Sequence, residues 1–422
     1  MTTVALPTPT PTPTPWRSDA AVIGLVGVAH SISHFSQLLL APLFPWLKVE
    51  FGVSYSQLGF LLTLFFVTSC VVQAASGFLV DRHGPRPVLL VGLTLLGVAA
   101  LGYAASTSYA MLAGFSVLAG MGNGVFHPVD YTLLNRKVHK SRLGHAYSVH
   151  GVTGSLGWAL APAMLVPITL VSSWRVALVC AAILAFSVLA LVLWRKDVFE
   201  LKADAQPNPA PGSAGAVAES SLAFLKLPAV WTCFAFFFFY AGALSVVQSF
   251  APQAAGKLHA VPPQWVAICL TVYMVCSAAG MVLGGFLVGR AQASERIVGI
   301  AFGVAASLAL VLGFASLHAA AVPVLFGLMG FVTGIAGPSR DFLVKQATPA
   351  HASGRVYGVV YGGLDTGQAL VPLLIGALMD AGAYRSVWVA LAVLQGVLIF
   401  SAFSVRRVSA TDRKGTAAAA AA

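Results

Sequence analysis

Twelve separate apolar runs, each about as long as a bilayer is thick, set the strongest limit on what this chain can fold into. Their approximate limits are 21–47, 56–80, 87–105, 110–134, 144–170, 175–194, 228–252, 264–289, 297–317, 322–346, 354–379 and 385–404. A hydrocarbon core of about 30 Å needs roughly 20 apolar residues per spanning helix. In lipid only helices and closed barrels satisfy their own backbone. The runs are long and do not alternate, so helices are expected. Composition agrees: 58% of residues are hydrophobic and 9% charged, against roughly 25% charged in soluble domains.

The charge that remains is basic, net +11, and it is clustered. Arg82 and Arg86 follow the second run; Arg136, Lys137, Lys140 and Arg142 follow the fourth; Arg195, Lys196, Lys202 and Lys226 follow the sixth; Arg406, Arg407, Arg413 and Lys414 lie beyond the last. The alternate connections carry little beyond Lys48, Arg175, Lys257 and Arg385. Such short clusters between apolar runs suit membrane orientation and not nucleic acid. The positive-inside rule places both termini in the cytoplasm of a plasma (inner) membrane protein. The domain reading is a Pro/Thr-rich disordered tail at 1–20, a six-helix bundle at 21–194, a cytoplasmic linker at 195–227, a second bundle at 228–404 and a disordered tail at 405–422. No charged start or small-residue cleavage site marks a secretory signal in the first residues. The five cysteines all fall inside apolar runs without metal-type spacing, and read as core residues.

The two halves repeat. GFLVDR at 77–82 returns as GFLVGR at 285–290, and GNGVFHP ending at Pro128 returns as VTGIAGP ending at Pro338. GHAYSVHGVTGSLGWALAP at 144–162 returns as GRVYGVVYGGLDTGQALVP at 354–372. The last two pairs share one offset of 210 residues. Internal repeats of this kind mark transporters that handle substrate near the midplane, between the halves.

The connection after the second run carries Gly77, Asp81, Arg82 and Gly84, with Arg86 close behind. This resembles the Gly-x-x-x-Asp-Arg-x-Gly-Arg-Arg signature of the major facilitator superfamily; in the second copy Gly289 replaces the aspartate. HSISHFSQLLLAPLFPWL, FGVSYSQLG, QAASGFLVDRHG and GNGVFHP narrow the likeness to the fosmidomycin-resistance subfamily, although Ser33-His34 stands where that subfamily commonly has Asn-Asp. The resemblance implies twelve transmembrane helices in two pseudo-symmetric bundles around a central cavity, rocking between inward- and outward-open states. It also implies a gating loop of Asp81, Arg82 and Arg86. The competing reading of those arginines is orientation charge alone.

Ionisable side chains within a span are costly, roughly 2.5–3.5 kcal/mol each on insertion scales, and mark function by default. His30, His34 and Gln37 recur at i, i+4, i+7, on one face of the first span. A histidine exchanges protons near neutral pH; the plain alternative is a neutral hydrogen-bonding residue. His127 and Asp130 share a face of the fourth span, with Pro128 between them and Gly120, Gly122 and Gly124 before them, a stretch suited to a bend or close approach. His150 stands about 9 Å into the fifth span, and reads equally as cavity or packing residue. Arg340 occupies the repeat position of Asp130; the resemblance to facilitator folds implies that the fourth and tenth spans approach each other when the cytoplasmic side closes, so the two are expected to pair across the halves there. Asp341 competes for that role but is rotated about 100° from Arg340 and can reach Lys345 instead. Asp365 is the deepest acid, about 16 Å into the eleventh span, where its repeat counterpart is Ser155. An acid at that depth suits proton carriage; ion pairing is the alternative. Tyr147, Trp158, Tyr357, Tyr361 and Gln368 are further cavity candidates.

His30 and His34 form a His-x-x-x-His pair, but HExxH is absent. Asp130 or Asp365 would complete a metal site only through tertiary contact, so no metal and no cofactor are assigned. No G-x-x-x-x-G-K-[S/T] occurs, which excludes ATP-driven transport by this chain. No nucleophile elbow or zincin pair supports an enzyme. The expected function is secondary transport, as proton-coupled export of a small drug-like or anionic solute, the partners being that solute, protons and the bilayer, and the chain a monomer. The alternative is an uptake symporter for a small organic acid or sugar.

Overall fold

A computed structural model describes residues 16–201, 228–288, 294–347 and 353–421, with backbone only at 229, 288, 341–347, 353–360 and 405–421. Helix dominates, and twelve helical segments among the described residues are long and apolar enough to cross a membrane. They are numbered here α1 (Trp16–Phe51), α2 (Tyr55–His83), α3 (Pro85–Ala105), α4 (Tyr109–Lys137), α5 (Lys140–Val171), α6 (Trp174–Trp194), α7 (Val230–Ser249), α8 (Pro263–Leu287), α9 (Ser294–Phe314), α10 (Ala321–Arg340), α11 (Tyr361–Asp380) and α12 (Tyr384–Ser404). Twelve crossings put both termini at one end of the bundle, the proximal end; the turn at residues 52–54 and that at 381–383 lie at the distal end.

Local chemistry sets the boundaries. Pro42 and Pro45 cannot continue the ladder of α1, so it breaks after Gln37 into a short 3₁₀ turn, Ala41–Leu43, and a second helical piece, Phe44–Phe51. Ser54 and Gln57 open α2 as a reciprocal capping box. Gly84, at φ +83°, ends α2 in a conformation disfavoured for other residues. The glycine of the loop signature thus makes the turn into Pro85.

The glycine-proline stretch of α4 bends as its sequence suggests. The helix interrupts at Gly124 and Val125 and restarts at Phe126. Pro128 has no N–H to give the Gly124 carbonyl four residues back; Ser76 Oγ of α2 donates to that oxygen instead, at 3.0 Å.

Within the first half, α1 packs on α5, α3 on α6, and α2 and α3 on α4; within the second, α7 packs on α11, α8 on α10 and α9 on α12. The most extensive contacts between the halves are α2 with α11 and α5 with α8. The repeat interchanges these two interfaces. The first is close because α2 carries Gly59, where a Cβ would stand 2.6 Å from the Pro372 carbonyl oxygen. Thr63 Oγ1 donates to the Ala369 carbonyl one turn further on, at 2.5 Å.

Helix extends beyond the sequence-based limits at both ends. The first helix begins at Trp16, and Asp19 is buried there on Arg142, Nε to Oδ2 2.7 Å, and on the His139 N–H. The last helix runs on through residues 405–421, to Ala421; its alanine run has the highest intrinsic helix propensity. The Pro/Thr repeat before Trp16 and most of the linker, 202–227, lie outside the described residues.

Candidate functional site

The polar residues singled out inside the spans meet in two connected groups. The first is in the amino-terminal bundle. Asp130 of α4 is fully buried and its Oδ2 meets His30 Nδ1 of α1 at 2.9 Å and His150 Nε2 of α5 at 3.1 Å. An ionised carboxylate only accepts, so toward it His30 presents its Nδ1–H tautomer and His150 its Nε2–H tautomer. The two imidazoles stack, with ring centroids 3.5 Å apart. His34 lies next to His30, centroids 4.5 Å apart, and against Trp158 at 4.3 Å. α1 and α5 approach this closely because Gly157 has no side chain: a Cβ there would overlap the Ser31 carbonyl oxygen.

Gln37, one turn further along the same face of α1, accepts from Trp158 Nε1 at 2.8 Å and donates weakly to Asn123 Oδ1 at 3.4 Å. Asn123 also accepts from Ser33 Oγ at 2.6 Å and donates to Ser69 Oγ at 2.8 Å. Asn123 therefore ties α1, α2 and α4 together. It escaped the sequence reading: unlike Gln37, it shares no continuous helix face with a histidine, because α4 breaks at Gly124 and Val125 between it and His127.

The second group crosses between the halves. Asp365 of α11, 9% exposed, accepts from Gln73 Nε2 of α2 at 3.4 Å, and Gln73 Oε1 meets His127 Nδ1 of α4 at 2.8 Å. Gln73 is the middle of this chain of contacts, and its partners lie 54 and 292 residues away. Tyr361, also of α11, lies beside His127 with centroids 6.2 Å apart. Nearby, a crevice between the bundles is lined by Ser155, Trp158, Tyr240, Tyr273, Thr333 and Gln395. The Arg340 guanidinium lies over the Tyr240 ring, 4.2 Å from its centroid. Cation and ring face attract at that separation. Gln368 donates to Gln248 Oε1 at 3.3 Å, within the carboxy-terminal bundle.

The structure thus gathers His30, His34, His127, Asp130 and His150 into one cluster and sets Gln37 at its edge. Asp365 is joined to it through Gln73, and Arg340 stands apart on the other half. Both histidine partners of Asp130 belong to its own half. At the α2–α3 turn, Asp81 and Arg82 are exposed, whereas Arg86 reaches Glu200 Oε1 at 3.2 Å and the Leu193 carbonyl at 3.3 Å, both in the amino-terminal half. The side chains of Asp341, Lys345 and Tyr357 lie outside the described residues.

Comparison with known proteins accounts for this architecture. The chain is 27% identical over 370 residues to the fosmidomycin resistance protein of Escherichia coli (strain K12), covering 85% of this chain and 87% of that one. It is 22% identical over 408 residues to the hexuronate transporter of Bacillus subtilis (strain 168), covering 92% and 93%. In three dimensions it superimposes on a bacterial homologue of the human lysosomal transporter Spinster, in an inward-facing and occupied conformation. The TM-score is 0.74 at 13% identity, over 93% of this chain and 98% of that one. Fold and family are those of multi-pass membrane proteins that move small molecules by secondary transport, and not those of enzymes. The family model of the Major Facilitator Superfamily matches residues 26–326 and 245–421, and the chain belongs to that superfamily.

Proposed function

We propose that this transporter exports a small drug-like or anionic solute in exchange for protons, by alternating access, with Asp365 as the coupling acid and both termini cytoplasmic. The observation that carries the proposal is the Asp365–Gln73 contact across the halves. A carboxylate accepts a hydrogen bond from the Gln73 amide; a carboxylic acid is a weaker acceptor and carries no charge. Protonation there acts directly on a contact between the two bodies that must move, and that is the requirement for coupling.

Other features suit the same reading. Arg340 beside the aromatic crevice supplies positive charge for an anionic group. The likeness to the fosmidomycin resistance protein extends over both bundles and favours export. In the opposite state, Asp130 is proposed to release its histidines and meet Arg340, with Asp81, Arg82 and Arg86 latching the proximal end. For that pairing, the exchange Asp130→Arg with Arg340→Asp should transport better than either single change; equal loss in all three removes it.

The hexuronate transporter among the relatives supports the second reading, uptake of a small organic acid. Proteoliposomes under an imposed pH step, given a panel that includes fosmidomycin and a hexuronate, separate the two. Proton-driven movement of a solute opposite to proton flow is expected. Movement in the direction of proton flow selects uptake, and accumulation indifferent to the pH step refutes proton coupling.

A further inference from the structure

Three ligand-type side chains that no sequence motif links converge inside the amino-terminal bundle. His30, Asp130 and His150 come from α1, α4 and α5, and are 2%, 0% and 5% exposed. Each offers one donor atom, and the three atoms lie within 4.8 Å of one another. Two of the edges between them measure 2.9 and 3.1 Å. With metal–ligand bonds of about 2.1 Å, the edge between neighbouring ligands is about 3.0 Å in an octahedron and about 3.4 Å in a tetrahedron. The two edges at Asp130 Oδ2 are therefore already at coordination spacing, and an ion entering there displaces the hydrogen-bond protons of His30 and His150.

A second observation points the same way. Asp130 Oδ1 is buried and has no hydrogen-bond partner among the described residues, and neither has Nδ1 of His34, the neighbour of His30. Leaving such an atom unsatisfied costs about 1–3 kcal/mol, more for a charged group. Buried unpaired acceptors in native folds commonly mark a water or an ion. The carboxylate oxygen has lone pairs to offer at the edge of a set of nitrogen and oxygen ligands.

We propose that His30 Nδ1, Asp130 and His150 Nε2 form a binding site for a divalent first-row transition-metal cation of the Zn²⁺ or Co²⁺ type. Two imidazoles and one carboxylate suit those ions. Ca²⁺ and Mg²⁺ prefer all-oxygen shells, and Cu⁺ prefers sulfur. His34 and His127 place two more imidazoles against His30, their donor atoms also within 4.8 Å of its own. All three proposed ligands sit in one half, so the ion braces α1, α4 and α5 without bridging the bundles. The site does not depend on the direction of transport, but an ion held there keeps Asp130 on its two histidines and so excludes the Asp130–Arg340 pairing proposed above while it is bound.

The test uses the full-length protein, purified in detergent with its affinity tag removed. Equilibrium dialysis against Zn²⁺ should find one tightly held ion per chain, and Co²⁺ should give a visible d–d band from the bound ion. Asp130→Asn and His150→Gln should each weaken Zn²⁺ binding by more than about 100-fold, beyond the usual effect of an outer-shell change. His318→Ala, at an exposed histidine outside the cluster, should not. Should the first two variants fail to fold, His30→Gln replaces them, and Zn²⁺ should raise the unfolding temperature of the wild type but not of that variant. Wild-type protein without stoichiometric Zn²⁺, or variants that hold it as tightly as the wild type, would overturn the site and leave a closed hydrogen-bond network.

Discussion

Asp380, the last residue of α11, caps the first turn of α2 in the opposite half. Its Oδ1 accepts from the Tyr55 N–H at 2.8 Å; its Oδ2 accepts from the Ser56 N–H at 2.9 Å and from Ser56 Oγ at 2.6 Å. The first N–H groups of a helix have no partner within it and carry partial positive charge. One carboxylate thereby satisfies two orphan donors and ties the bundles together at the distal end. Phe250 of the second half packs between Phe44 and Tyr55 beside this contact, with centroids 5.7 and 6.1 Å away.

Asp380→Ala is expected to loosen that closure. The contact is exposed, so its contribution is about 1 kcal/mol, near the low end for hydrogen bonds to charged groups. That corresponds to roughly a fivefold change in the ratio of distal-closed to distal-open molecules. Spin labels at Glu50 and Ala381, in a variant without the native cysteines, would report it as growth of a longer distance component. An unchanged distance distribution would show that apolar packing alone holds the distal end.

Asp365→Asn keeps the shape of the Gln73 contact and removes the titrating group. Solute exchange down its own gradient should persist within a few-fold, while accumulation driven by a pH step falls to background. Both are measured in the same proteoliposomes. Retained pH-driven accumulation would place coupling elsewhere.

The approach of α1 to α5 depends on a missing side chain at Gly157, where a Cβ would overlap the Ser31 carbonyl oxygen. At Gly151, on the same helix, nothing lies within 4 Å of an added Cβ. Gly157→Ala should therefore destabilise the protein by about 1–3 kcal/mol, the usual cost of overpacking, and Gly151→Ala should not. Thermal unfolding in one detergent compares them; equal melting temperatures would contradict the tight interface.

Asp19 is almost fully buried against Arg142, whose side chain is 25% exposed. Asp19→Ala leaves the Arg142 guanidinium and the His139 N–H without this acceptor, and should cost about 1–3 kcal/mol. The Asp19→Ala/Arg142→Ala double variant should lose less than the sum of the single variants, because the interaction between the two is lost in each single variant and counted once in the double. Additive losses would mean the two side chains act independently.

Much of the site was visible as residue types on helix faces. His30, His34 and Gln37 do share the face of α1 that meets α4 and α5, and the glycine-proline stretch of α4 does break. Gln73 and Asn123 were not legible: unlike Gln37, neither shares a continuous helix face with a histidine, and their partners come from other helices. Asp19 and Asp380 were not legible either: each lies at the edge of a span, where an acid also reads as a solvated end residue.

By itself the amino-acid order determined the helical class, the number of crossings and the twofold internal likeness. Apolar length, prolines and glycines act locally, and the lipid demand for satisfied backbone leaves few other outcomes. Only the tertiary structure decided that His30, Asp130 and His150 share one buried site, over separations of 100 and 20 residues, and that Asp380 caps a helix 324 residues away. Helical periodicity says which side chains share a face; which neighbouring helix that face meets is settled by close packing between whole helices, and that is a property of the folded bundle.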